Sequence, residues 1–96
     1  MYDLQLTAPA ARVFKTFSRD VQHALAHELR VLRHAPTTGE PLTGLSRGFR
    51  SIHITHQDID YCVIYQIAAK AEMVIILLVD TRTTMYRKLD DRKIKP

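Results

Sequence analysis

The stretch Met73-Val74-Ile75-Ile76-Leu77-Leu78-Val79 is apolar without interruption, in a chain of only 96 residues. It is far shorter than the roughly 20 apolar residues a membrane-spanning helix needs. It has instead the pattern of a central strand covered on both faces, because a strand with one wet face alternates polar and apolar positions. Neighbouring strands and covering layers must come from the rest of the chain. That length leaves room for a single domain spanning 1–96 and no second core.

The other elements follow from changes of period. Tyr2-Asp3-Leu4-Gln5-Leu6 alternates weakly and reads as a first strand. Thr7 can cap a helix whose first turn holds Pro9, where the missing N–H costs nothing. Val13, Phe14 and Phe17 give that helix an apolar side, and Ser18 can cap the next one. Val21, Leu25, Leu29 and Leu32 recur at helical spacing, with Ala24 on the same side and Pro36 ending the element. Ala35 to Arg47 contains Pro36, Gly39, Pro41 and Gly44, and reads as a connector.

From Phe49 to Thr55 the period becomes two, placing Arg50, Ile52 and Ile54 on one face and Ser51, His53 and Thr55 on the other. A polar turn from Thr55 to Asp60 leads to a strand over Tyr61 to Ile67, and Ala68 to Ala71 connects it tightly to the apolar run. Three strands with short connections form an antiparallel meander. The expected fold is α+β: an N-terminal strand and a helical hairpin packed on that meander, with a charged tail at 90–96 that frays.

Charge narrows the partners. Fourteen Lys+Arg against 10 Asp+Glu give a net charge of +4, which favours an anionic partner, although many small soluble proteins are equally basic. The single cysteine, Cys62, excludes an intrachain disulfide and falls on a strand. No basic segment followed by an apolar run opens the chain, so the expected location is the cytoplasm.

The histidines invite a metal reading. His23 and His27 are one helical turn apart, and His53 and His56 are three residues apart. A metal site needs at least three converging ligands, and neither HExxH nor CxxC occurs, so no metal is expected. Ser51 beside His53 lacks a nucleophile elbow and an oxyanion loop.

A phosphodiester suits these groups better. Cleaving RNA without a metal requires deprotonating a 2′-hydroxyl, neutralising charge on phosphorus and protonating the leaving 5′-oxygen. Imidazole, with a pKa of about 6.5, serves either proton transfer. A guanidinium fork matches phosphate oxygens, and tyrosine stacks on a base. His53 or His56, Arg82 and Tyr86 supply these types. The same residues also occur as ordinary strand-face and tail groups, and residue types alone leave both readings open.

Order and spacing add more. The hairpin ends Leu32-Arg33-His34-Ala35-Pro36, and the connector reads Gly39-Glu40-Pro41-Leu42-Thr43-Gly44. The strands carry Gly48-Phe49-Arg50-Ser51-Ile52-His53-Ile54 and Tyr61-Cys62-Val63-Ile64-Tyr65, followed by Val79-Asp80-Thr81-Arg82 and Tyr86. In this order the chain resembles the RelE/ParE superfamily of bacterial and archaeal toxins over nearly its whole length. It is nearest the histidine-using, YafQ-like branch, whose Gly-aromatic-Arg-x-x-His-aliphatic strand matches Gly48, Phe49, Arg50, His53 and Ile54.

The resemblance implies the toxin of a type II toxin–antitoxin system: a metal-independent, ribosome-dependent mRNA endoribonuclease with no cofactor. It implies a cognate acidic antitoxin, the ribosome and mRNA as partners, and no membrane. His53 would be general acid or base, Arg82 the phosphate clamp and Tyr86 the nucleotide orienter. Arg47, Arg50 and Lys88 would support the RNA backbone, and His56, Asp58 or Asp60 would orient or assist. Many members carry an arginine where this chain has Cys62; the histidine-using branch also lacks it. The alternatives within the superfamily are a ParE-like inhibitor of DNA gyrase without nuclease activity, and a degenerate toxin that only binds its antitoxin.

Overall fold

A computed structural model of the protein describes residues 1–44 and 47–87. The expected frail tail and Lys88 lie outside the described residues. The elements are β1 (Asp3–Leu6), α1 (Ala8–Thr16), α2 (Arg19–Leu29), α3 (Val31–His34), β2 (Glu40–Pro41), β3 (Arg50–His56), β4 (Ile59–Ala68) and β5 (Met73–Thr81). Five strands form one sheet in the order β1-β5-β4-β3-β2. The meander β3-β4-β5 is antiparallel as expected, and β1 adds to its far side parallel to β5, Leu4 facing Val74.

Both helix starts are set by the residues expected to cap them. Thr7 Oγ1 accepts from Ala10 N at 3.3 Å, and Ser18 Oγ accepts from Val21 N at 3.3 Å. Each satisfies one donor that the first helical turn leaves unpaired. The second helix does not run unbroken to Pro36: a turn at Arg30 divides it into α2 and α3. Arg33 closes this end onto the first strand, since Tyr2 N donates to Arg33 O at 2.8 Å and Arg33 Nε donates to Tyr2 O at 3.2 Å.

The helices seal one sheet face. Leu25, Leu29 and Leu32 meet Ile54, Tyr61, Val63, Tyr65, Val74, Ile76 and Val79 in the main core. Phe17 packs edge-on against Tyr61, with ring centroids 5.4 Å apart. The apolar run of β5 serves both faces through a bulge: Tyr65 pairs with Ile76 and Ile64 with Leu78, leaving Leu77 as the extra residue. The Leu77 carbonyl accepts from the Thr7 hydroxyl at 3.2 Å. Leu78 consequently joins a second, smaller cluster on the other face, around Cys62, Ile64 and Met85.

One connection differs from expectation. The polar turn is only two residues long, because β3 and β4 pair as far as His56 and Ile59. Gln57 and Asp58 both take positive φ, 50° and 65°, the backbone of a tight hairpin turn whose twist matches its strands. Beyond β5, residues 82–87, for which the sequence reading named no element, are helical. Thr81 opens that turn, its hydroxyl accepting from Thr84 N at 3.3 Å. Among the described residues no helix is long and apolar enough to cross a membrane.

Candidate active site

Register places the expected groups. His53 on β3 stands opposite Cys62 on β4, which stands opposite Asp80 on β5. Directly paired residues point to the same side of a sheet, so these three form a row across the face away from α1 and α2. His53 is exposed there. With neighbouring strands about 4.8 Å apart, the row spans about 10 Å from β3 to β5.

Arg82 enters at the β5 end of this row. The helical turn at 82–87 brings it one turn from Tyr86, whose hydroxyl accepts from Arg82 Nε at 3.2 Å. The Arg82 Cζ also lies over the Tyr86 ring, 5.3 Å from its centroid. Both side chains are exposed. The Tyr86 hydroxyl is the main influence raising the Arg82 pKa; desolvation opposes it, and Asp60 and then Cys62 add weaker upward pulls. The guanidinium is charged in any case. Its remaining donors are what a phosphate would meet.

Between the two, Cys62 is buried, and burial pushes its thiol pKa up against the pull of Arg82. The thiol is therefore neutral near pH 7 and contributes an apolar floor. Asp60 is on the same face, held by a 2.7 Å hydrogen bond from the Thr55 hydroxyl.

A cleft of about 240 Å³ opens beside His53, lined by Thr38, Gly39, Glu40, Ser51, Ile52 and His53. Glu40 pairs with Ser51, so its carboxylate belongs to the face of Ser51 and His53. Sequence reasoning missed Glu40 and Thr38. A strand of two residues has no period to recognise, and the only legible signal was the polar Thr-Thr-Gly-Glu run inside a connector.

Other expected residues lie apart. Arg50 is on the helix-covered face, where its Nη1 donates to Gly39 O at 2.8 Å and Thr37 O at 3.4 Å. His56 also points to that face: its Nε2 is 2.6 Å from Asp20 Oδ2 at the start of α2. Asp58 occupies the hairpin tip, and Arg47 is exposed in the turn before β3. The structure thus puts His53 and Asp60 on one face, with the Arg82–Tyr86 pair beyond the end of β5, while Arg50 and His56 lie on the other face and Asp58 at the hairpin tip. Among the described residues no group of three or more His, Cys, Asp or Glu side chains converges as a metal ion would require. A larger, mostly apolar groove of about 530 Å³ runs between β1 and the helices, past Leu4, Leu6, Phe14 and Leu29, and holds none of these groups.

No protein-family model and no curated protein sequence matches the chain. Solved structures do. The Mycobacterium tuberculosis toxin–antitoxin complex RelBE2 contains a chain with TM-score 0.75 and 25% identity, covering 84% of this chain and 98% of that one. The isolated Escherichia coli RelE toxin superposes with TM-score 0.73 at 18% identity, covering 98% and 100%. YafQ from E. coli does so with TM-score 0.65 at 16% identity, covering 90% and 99%.

Proposed function

We propose that this chain, which has the RelE-type toxin fold shared with YafQ, is the toxin of a type II toxin–antitoxin pair and cleaves mRNA on the ribosome. The observation that carries the reading is the open sheet face itself: an exposed imidazole on β3 and, beyond the end of β5, a guanidinium–phenol pair.

The chemistry follows from the positions. His53 moves a proton, taking it from the 2′-hydroxyl or returning one to the departing 5′-oxygen. Arg82 stabilises the negative charge that grows on the non-bridging oxygens, and this term is usually the largest in such reactions. Tyr86 holds the guanidinium in place and presents its ring to the adjacent nucleotide. Arg47 and Lys88 serve the RNA backbone as cations, and Asp60 adds a weak negative influence on Arg82. The action is cytoplasmic, with an acidic antitoxin neutralising a chain of net charge +4.

Expression of the protein alone should arrest growth, and His53→Ala or Arg82→Ala should abolish the arrest while circular dichroism and thermal midpoint stay unchanged. Full mRNA cleavage by both variants would sink the site assignment. One observation favours a second reading: the neutral Cys62 leaves this face without the extra arginine that many RelE/ParE members carry. If the protein instead blocks DNA supercoiling by gyrase and leaves mRNA intact, it is a ParE-like inhibitor. If it does neither but binds its antitoxin, it is a degenerate toxin.

A further inference from the structure

Arg50 belongs to the strand of His53 but to its opposite face, and there it has a partner. We propose that Arg50 and Tyr65 form a clamp that positions residues 38–40, the wall of the cleft beside His53, and that Arg50 is a positioning residue rather than a phosphate contact.

Arg50 and Tyr65 are directly opposed in the β3–β4 ladder. Tyr65 is fully buried, and its hydroxyl donates to Pro36 O at 2.6 Å while accepting from Gly39 N at 2.8 Å. Arg50 Nη1 donates to Gly39 O at 2.8 Å. The N–H and the C=O of Gly39 are therefore both held by side chains, one from each central strand. Burial raises the Tyr65 pKa against the opposing influence of the Gly39 N–H and the Arg50 charge, so the hydroxyl stays protonated and keeps its donor.

Gly39 is required at this contact by space alone. A Cβ there would lie 2.5 Å from the Tyr65 hydroxyl and 2.7 Å from the Ser51 carbonyl. At Gly39 the connector crosses from the helix side to the sheet edge, and the next residue, Glu40, pairs with Ser51. The clamp thus sets where Glu40 and Thr38 stand relative to His53. Chemistry that depends on near-attack geometry loses about 100-fold for a 1 Å misplacement. A guanidinium turned to the helix side and engaged with carbonyls is poorly placed to reach a phosphate on the His53 face.

The kinetic half of this proposal rests on the RNA-cleavage reading; the structural half does not. The test uses Tyr65→Phe, Arg50→Lys and Arg50→Gln in the full chain. In the free protein, amide exchange at Gly39 and the NMR shifts of His53 and Glu40 report the clamp. Tyr65→Phe should speed Gly39 exchange about tenfold or more, as expected for a lost hydrogen bond, and move both resonances. Arg50→Gln should move the same resonances, which keeps the test open if Tyr65→Phe does not fold.

On programmed ribosomes, all three variants should lower the single-turnover cleavage rate about 10- to 100-fold with half-saturating concentration unchanged. The salt dependence of ribosome binding should keep its slope, because no phosphate contact is lost. Three results overturn the proposal: a salt slope reduced by about one in Arg50→Gln, wild-type cleavage in Arg50→Lys, or a Gly39 amide and His53 shifts that ignore Tyr65→Phe. A wild-type protein that cleaves no RNA defeats the functional reading, and the exchange measurement then decides the clamp by itself.

Discussion

Among the described residues, the helix-covered face of the sheet is closed by eleven buried residues, from Ala10 and Leu25 to Val79, whereas the opposite face buries Cys62, Ile64 and Met85, with Leu42, Phe49 and Leu78 partly covered around them. The first face carries most of the hydrophobic stabilisation. The second is left open where His53 and Arg82 stand, both exposed. One strand serves both needs: β3 sends Ile54 into the core and His53 into solvent, one residue apart. The separation implies that stability and activity can be damaged independently.

Substitutions on the open face should cost activity first. His53→Ala is expected to slow mRNA cleavage by about 10²- to 10⁴-fold, the usual contribution of a positioned acid or base, with an unchanged urea midpoint. Leu25, fully buried under the sheet, should show the reverse. Leu25→Ala should cost about 2–5 kcal/mol in urea denaturation, and the rate per folded molecule should be preserved.

A smaller effect comes from pH. The Cys62 and Tyr65 pKa values are both raised by burial, so between the unfolded and folded values the native state holds more protons than the unfolded chain. Stability from this source is complete below the unfolded thiol pKa of about 8.5 and is lost as pH rises beyond it. Cys62→Ala should flatten the first part of that alkaline decline, as read from midpoints between neutral pH and pH 10. The smallest effect belongs to His56. Its contact with the largely exposed Asp20 is worth at most about 1 kcal/mol, and His56→Gln should leave cleavage untouched. A large loss of cleavage there would undo the division between the two faces.

Much of this division was legible in the sequence. Thr7 and Ser18 announced the helix starts, Leu25 and Leu32 the covering face, and the alternation at 50–55 put Ile54 and His53 on opposite sides. What was hidden had physical causes. The two residues of β2 carry no period, so Glu40 passed as connector. The shortness of the hairpin turn rests on Gln57 and Asp58 at positive φ, which neither residue type demands. The helix at 82–87 has a cap in Thr81, but its charged, polar exterior conceals the single buried side chain, Met85, that docks it. Arg50 shows the other limit: alternation placed it correctly on the Ile52 face, while the resemblance suggested RNA contact. Its carbonyl partners appear only in three dimensions.

The claim that the open face cuts mRNA is tested most directly by toeprinting translating ribosomes with the purified protein. New 3′ ends are expected within the A-site codon, lost in His53→Ala and Arg82→Ala. Intact mRNA at saturating protein, with the fold confirmed in the same sample, would contradict it.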